Sequence, residues 1–482
     1  MTWRWPAMAA LLFALPRIAR LLHADVWIED DYYVAAGALI LQGYAPYQDF
    51  VLNHLPYLEQ ALALCFSIFG VSYHVAEWMQ AGVIWSTCML LYGAGRRQLG
   101  ELGGLCAGLL YATSLLPFTY HVWEREIFTA ALTSAALYLY LGRAPLGRKR
   151  AIAIGALCAL SFSIKLTGLL PAVLFSMHLV LVRRELRDAA MLSAVALVGA
   201  AGTMLAALAL HGDELWLQVV LAQLIKGDNG LVMRWQFLSM WRDPASLCGV
   251  AGLLWLPLRR GFGELWIAAL IAVSFPAFFL LSPGTIWVHN LIDALPGASL
   301  LGGLSFVELV RWGSNARWPG RLAALSATAA LILIVRPWQG LPYDRAVPRD
   351  ELARAAEILS AELQPGEEVI TWCPLVAMEA GAVPVIRFWE TEGTTAFARQ
   401  AIAEHGILAA RRAVNQHKLT EIAALHGPRL WLPRVHAAVA EGRARVLVTL
   451  RGQYRVPVEI ELPGAVLVRR TSRGYFSFWQ RP

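Results

Sequence analysis

Charge is what this sequence of 482 residues has little of: Asp, Glu, Lys and Arg make up 16% of it and hydrophobic residues 57%. An average soluble domain carries roughly a quarter charged residues, so a water-soluble globule of this length is excluded. Cysteine is scarce as well. Of the six, Cys65, Cys88, Cys106, Cys158 and Cys248 stand singly inside apolar segments and Cys373 lies in the polar part. Without a Cys-x-x-Cys pair they outline neither a disulfide framework nor a thiolate metal site. A Walker A loop, a dinucleotide-binding glycine fingerprint and a His-Glu-x-x-His motif are also missing. Energy or an activated group must therefore reach the protein by a route other than a bound nucleotide. No internal repeat, low-complexity tract or polybasic run is visible.

The scarcity of charge is uneven. Residues 1–338 hold 42 charged side chains, about 12%, whereas residues 339–482 hold 33, about 23%. The first part reads as membrane and the second as a soluble domain. Apolar runs bounded by charges or by Pro and Gly lay out about eleven transmembrane helices, at 5–22, 72–94, 102–118, 127–142, 150–164, 166–182, 189–210, 245–258, 265–281, 291–310 and 321–337. The run from Trp5 to Leu22 has no small-residue cleavage site after it and is read as a retained first helix. The stretch 55–70 is assigned to the membrane surface, since counting it as a span would move Arg96 and Arg97 to the outside. Residues 339–482 read as a small α/β domain, with a helical period at 349–363 and strands at 367–372, 445–450 and 456–462. The expected fold is a polytopic α-helical membrane protein with a C-terminal extracytoplasmic α/β domain.

The net charge is +7 and the pI near 9.2, but the basic residues sit in short clusters between apolar runs. Positive-inside topology explains them better than a nucleic-acid partner does. The layout puts 15 of the 23 Lys and Arg of the membrane part on the cytoplasmic side, including Arg96, Arg97, Arg148, Lys149, Arg150, Arg183 and Arg184. It makes the chain a multi-pass plasma-membrane protein with the N-terminus inside and residues 339–482 outside. Of the 19 acidic residues, 14 fall on or near the outer side. Asp and Glu contribute little to topology, so their position points to function.

The most informative segment is 29–50, EDDYYVAAGALILQGYAPYQDF. Glu29, Asp30 and Asp31 follow a membrane span directly and precede an amphipathic helix ending at Gly43. Like charges at a low-dielectric interface raise at least one carboxylate pKa, which suits general-base work; a helix cap needs only one such acid. His54 and Pro56 then precede a second interfacial helix, so residues 24–71 form a platform on the outer leaflet. Glu124, Arg125 and Glu126 stand at the outer end of another helix, where charge is costly unless paired or in a wet cavity. Lys165 interrupts an apolar stretch at an outer turn, placed to snorkel or to neutralise a phosphate. His289 and Asn290 reach the outer end of a further helix, with Asp293 one turn inward. A third outer loop, 211–243, carries His211, Asp213, Lys226, Asp228 and Arg234.

Together these elements resemble the first outer loop of GT-C-fold glycosyltransferases: Glu29-Asp30-Asp31-Tyr32-Tyr33, then Gly43-Tyr44-Ala45-Pro46-Tyr47-Gln48-Asp49-Phe50, His54-Leu55-Pro56 and Phe69-Gly70. More narrowly they are similar to bacterial protein O-mannosyltransferases and the aminoarabinose transferases that modify lipid A. Glu124 and Glu126 occupy the place of the second-loop acid, Lys165 lies in a Lys-x-Thr-Gly segment, and 287–297 resembles the His-Tyr…Leu-Pro segment, with Asn290 where Tyr is common. The resemblance implies inverting transfer from a polyprenyl-phosphate sugar to a protein, lipid or glycan acceptor. It implies that the base is a first-loop acid: Asp30 is favoured, spacing to Tyr32 points to Glu29, and Asp31 is the third candidate. Tyr33, Asp49, His54, Glu124, Arg125, Glu126, Lys165 and His289 are the implied substrate-binding residues. The residues assign no cofactor and no metal ligands, although outer carboxylates can hold a divalent cation. The alternative is a transporter or flippase of lipid-linked sugars, but inverted repeats are absent and charges gather at helix ends rather than at mid-depth.

Overall fold

The computed structural model describes residues 4–23, 26–27, 31–114, 123–142, 145–225, 243–258, 263–281, 288–315, 346–364 and, beyond them, chiefly 367–371, 373–385, 433–450, 466–472 and 476–480. Helix α1 (Arg4–His23) leads through the short strand β1 (Val26–Trp27) to α2 (Asp31–Leu41) and α3 (Tyr57–Phe69). Then follow α4 (Tyr73–Thr113), α5 (Arg125–Tyr140), α6 (Arg148–Ile164), α7 (Leu170–His178), α8 (Leu186–Leu215), α9 (Pro244–Trp255), α10 (Trp266–Leu281) and α11 (Leu295–Asn315). Every expected span within the described residues is helical, and the stretch 55–70 is the separate helix α3. The expected helix 321–337 and strand 456–462 lie outside the described residues, as do Lys226, Asp228 and Arg234.

Among the described residues, four helical stretches are long and apolar enough to cross a bilayer unaided: Leu166–Arg183, Leu186–Ile225, Gly263–Leu281 and His289–Gly313; counting α3 and α4 as one bent span makes five. Of the other expected spans within the described residues, 5–22 is α1, two belong to α4, and the rest are shorter helices. The two in α4, 72–94 and 102–118, are joined across Gly100, whose φ of 79° only glycine adopts without strain. A Cβ on Gly104 would lie 2.6 Å from the Tyr92 carbonyl oxygen and 2.8 Å from the Arg96 amide nitrogen. Residues twelve apart approach so closely only when the two arms fold back on each other, so α4 is a helical hairpin. Helix α11 packs on α4, α9 and α10, and α6 packs on α5 and α8. Leu91, Tyr111, Leu137, Phe175, Leu295 and Leu304 are buried in the common core.

The two ends of α5 differ in charge. At its C-terminal end Arg97 donates to the Tyr138 carbonyl and Arg183 to that of Tyr140 at 3.1 Å, while Arg183 also pairs with Glu264 at 3.0 Å. Cations there satisfy the last helix carbonyls and oppose the helix dipole. The acids Glu124 and Glu126 stand at the other end, about 24 Å away for 16 helical residues.

The C-terminal part contributes β2 (Ala346–Val347), α12 (Arg349–Glu362), β3 (Glu368–Thr371), α13 (Pro374–Glu379), β4 (Val383–Pro384), β5 (Ala444–Leu450), β6 (Val466–Arg470) and β7 (Phe476–Gln480). The five longer-range strands form one sheet in the order β4-β3-β5-β7-β6. Strand β3 is parallel to β4 and β5, and β7 is antiparallel to β5 and β6. Alternate residues Val446, Val448, Phe476 and Phe478 turn inward, as period-two patterning requires. They share a cluster with Leu352 and Leu359 of α12 and with Val34, Leu58, Leu62 and Phe66 of α2 and α3. Strand β1 pairs antiparallel with β2, Val26 opposite Val347 and Trp27 opposite Ala346. The Arg349 guanidinium grips both oxygens of Glu77 in α4, at 2.6 and 2.8 Å, the two-point geometry that carboxylates favour. The sheet is thereby seated on the first loop, at the end of the bundle that bears Glu124.

Helices α9 and α11 cross at their backbones: a Cβ on Gly252 would lie 2.0 Å from the Leu301 carbonyl oxygen, whereas around Gly82 nothing lies within 4 Å. Gly252→Ala is expected to destabilise the protein by about 1–3 kcal/mol through overpacking, read as a lower melting temperature in detergent, and Gly82→Ala to leave that temperature unchanged.

Candidate functional site

Three backbone features bring the polar residues together. Before α5 the chain turns at Trp123, a non-glycine residue at φ 70°, and Gln80 of α4 holds the turn. Its Oε1 accepts from the amides of Trp123 and Glu124, at 2.5 and 3.2 Å. Strain of this kind persists only where the surroundings over-determine it; here the Trp123 ring is also fixed, by Nε1 donating to the Leu58 carbonyl at 3.3 Å and by Phe128 at 4.8 Å between centroids. At the end of α6, Lys165 takes extended backbone before the 3₁₀ turn Leu166–Leu169. A second 3₁₀ turn, Val288–Ala294, carries His289, Asn290 and Asp293 into the start of α11.

These three points meet in one buried cluster. Lys165 Nζ donates to Glu126 Oε1 and lies 3.7 Å from Asp293 Oδ2. His289 lies between the two glutamates, with Nδ1 4.0 Å from Glu124 Oε2 and Nε2 3.8 Å from Glu126 Oε1. Asn290 Nδ2 is 3.5 Å from Glu126 Oε1, and the Thr129 hydroxyl donates to Asp293 Oδ1. Lys165 is only 11% exposed and the carboxylates less. Burial first, then the charge of Glu126 beside it, raises the pKa of Glu124, which precedes α5, well above the ordinary carboxylate range. Glu126 Oε2 accepts no hydrogen bond among the described residues. One ligand atom each from Glu124, Glu126 and His289 lie within 4.8 Å of one another, and oxygen and imidazole donors so spaced suit a divalent cation.

Of the residues expected from sequence, Glu124, Glu126, Lys165 and His289 are brought together, with Asn290 and Asp293. Arg125 is fully buried and donates to Glu59 of α3, with its guanidinium carbon 3.9 Å from the centre of the Tyr33 ring. His54 also meets Tyr33 edge-on, 6.4 Å away between ring centroids. Asp49 is exposed and closes its own turn, Oδ2 accepting from the Ala45 amide at 2.7 Å. Glu29 and Asp30 lie outside the described residues, and Asp31 opens α2 two residues before Tyr33. The structure adds Glu59, Gln80 and Thr129. Glu59 had a readable signal, a lone acid within an apolar helix; Gln80 and Thr129 had none.

No family model matches this sequence, and no curated protein matches it. Solved structures do. The chain is similar to ArnT from Cupriavidus metallidurans in the apo state, at 11% identity and a TM-score of 0.58, over 98% of this chain and 96% of that one. Against the same protein bound to undecaprenyl phosphate the values are 15%, 0.54, 91% and 79%. The oligosaccharyltransferase AglB from Archaeoglobus fulgidus, in complex with an inhibitory peptide and a dolichol-phosphate, matches at 13% identity and a TM-score of 0.52 over 87% of this chain and 72% of its own. The chain has the GT-C glycosyltransferase fold. It is a helical membrane protein, as the GT-C fold requires.

Two expectations follow. Lys165→Met strands Glu126 and Asp293 without their cation and should cost about 3–5 kcal/mol, whereas Lys165→Met combined with Glu126→Gln should recover much of the loss; a double-mutant cycle in thermal unfolding measures both. Because folding raises the Glu124 pKa, the native state binds that proton more tightly than the unfolded chain does. Its contribution is complete in acid and is lost as pH rises through the native value. Glu124→Gln should remove that decline, seen by comparing melting temperatures from about pH 5 to pH 9.

Proposed function

We propose that this GT-C protein is an inverting glycosyltransferase that moves a sugar from a polyprenyl-phosphate carrier to a hydroxyl or phosphate of a protein, lipid or glycan acceptor. In this reading residues 1–338 form the catalytic membrane domain, with about eleven spans and the N-terminus in the cytoplasm. Residues 339–482 and the reaction lie on the outer face. The observation that carries the proposal is the buried cluster of Glu124, Glu126, Lys165, His289 and Asp293, set at the end of the bundle beside the first-loop helices in a fold shared with ArnT and AglB.

The chemistry follows from charge. An acceptor oxygen attacks the anomeric carbon from the side opposite the lipid phosphate, its proton passes to a first-loop carboxylate, and the bond between sugar and phosphate breaks. Asp30 is the favoured base, with Glu29 and Asp31 as neighbours. Tyr33 and His54, in edge-on contact, are substrate-binding residues in this reading, Arg125 holds Tyr33 in place, and Asp49 shapes the following turn. Lys165 faces the departing phosphate, where a fixed cationic donor stabilises the charge that develops, and His289 stands beside it. Glu126 and Asp293 already engage the Lys165 ammonium, so the cluster has no surplus positive charge to offer a phosphate until more is present. Glu124, Glu126 and His289 would hold a divalent cation, which supplies that neutralisation when bound.

The test is to offer the purified protein in lipid a panel of labelled polyprenyl-phosphate sugars and an acceptor extract from a bacterial envelope. Release of sugar from one carrier is expected, with Asp30→Asn lowering the rate by about 10²–10⁴-fold and folding unaffected. Full activity in both Asp30→Asn and Asp31→Asn would remove the role given to this loop. Passage of intact carrier across the bilayer without sugar release would favour a flippase instead.

A further inference from the structure

The sheet edge formed by β6 carries an arrangement that neither the fold nor the proposed reaction uses. Between β6 and α12 lies a cleft of about 440 Å³, lined by Arg354, Glu357, Ile358, Arg469, Arg470 and Ser472, among others. It is on the face of α12 turned away from the first-loop helices: Leu352, Ala355, Ile358 and Leu359 are buried, whereas Arg354 and Glu357 are exposed. None of the three guanidiniums makes a hydrogen bond or ion pair with a described residue. Glu357 offsets one of the three charges, and the Ser472 hydroxyl is turned to Glu351 at 2.7 Å.

The convergence is built into the strand. Along β6 and β7, Leu467 lies opposite Trp479 and Arg469 opposite Phe478, so the register shifts at Val468. Phe478 points inward with the α12 residues. Were the ladder regular, position 469 would share the face of Leu467 rather than that of Phe478; the extra residue brings the Arg469 position to the side on which Arg354 stands. Bulges that re-aim a side chain in this way mark designed sites, and guanidiniums in excess over the one carboxylate of the cleft leave it electropositive, which favours an anion.

The larger cleft at the opposite end of the bundle, about 860 Å³ beside Arg97 and Arg150, lacks this character. There Arg97 already bonds the Tyr138 carbonyl.

We infer that the α12–β6 cleft binds an oxyanion of the phosphate-ester class, held by Arg354 and Arg469, with Arg470, paired with Ser477 on the other face of β6, at its rim. Guanidiniums offer forked donors suited to phosphate oxygens, and Ile358 gives an apolar floor. The ester belongs either to a lipid headgroup or to a soluble molecule. This inference is independent of the transfer reaction.

The experiment uses the full chain in nanodiscs of zwitterionic lipid, titrated with inorganic pyrophosphate, and in parallel nanodiscs containing phosphatidylglycerol without added pyrophosphate. Amide hydrogen exchange over 352–362 and 466–472 reports occupancy. Saturable protection by pyrophosphate, weakened at least about tenfold in Arg354→Gln/Arg469→Gln and partly retained in Arg354→Lys/Arg469→Lys, is expected and assigns a soluble ester. Protection by phosphatidylglycerol alone, lost in the Gln variant, assigns a headgroup. An unchanged melting temperature in the Gln variant shows that the fold survives. Absence of protection in both arms, or protection that the Gln variant keeps in full, overturns the inference.

Discussion

Two carboxylates paired with a single, nearly buried ammonium are the constraint on which this architecture depends. Glu126, Asp293 and Lys165 come from α5, from the turn before α11 and from the turn after α6. No two are neighbours in sequence. Each must shed its hydration to reach the cluster, a cost of several kcal/mol per ion. The mutual attraction offsets that cost only when geometry is exact, so the surrounding backbone is fixed with unusual care. Gln80 clamps the amides of Trp123 and Glu124, and Thr129 and Asn290 supply polar contacts that water would otherwise provide.

The same constraint explains the layer just outside the cluster. Arg125 stands between the two glutamates in sequence, yet its guanidinium engages Glu59 and lies over Tyr33. It therefore ties the helix that bears the acids to both first-loop helices, and so to the segment that starts at Asp31. The platform formed by α2 and α3 is in turn covered by α12, α13 and the inner residues of the sheet.

Much of this was legible before the structure, for a physical reason. Polar residues at the ends of apolar runs are expensive, so Glu124, Glu126, Lys165 and His289 announced themselves singly; what sequence could not show was that they belong to one cluster, because their contacts join residues 39 to about 165 positions apart. The helix at 349–363 and the strands at 367–372 and 445–450 were readable from period alone. Strands β6 and β7 were not: VLVRR and FSFWQ are short, and each becomes a strand only through its partner. The pairing of Glu59 with Arg125 was hidden for the same reason. Asp49 carries a different lesson, since a carboxylate four residues past an amide can satisfy it locally.

The small ribbon of β1 and β2 has a consequence for how the chain is made. Trp27 meets Ala346 about 320 residues later, so when the first loop leaves the ribosome its partner strand has not been synthesised. Domains form as the chain emerges, and here the platform beside the acid cluster must wait, with its apolar face uncovered, until about two thirds of the polypeptide has followed it. Completion of the cluster's surroundings is thus among the last events of biogenesis, and a chain released early would carry its membrane helices without a finished platform beside the acid cluster.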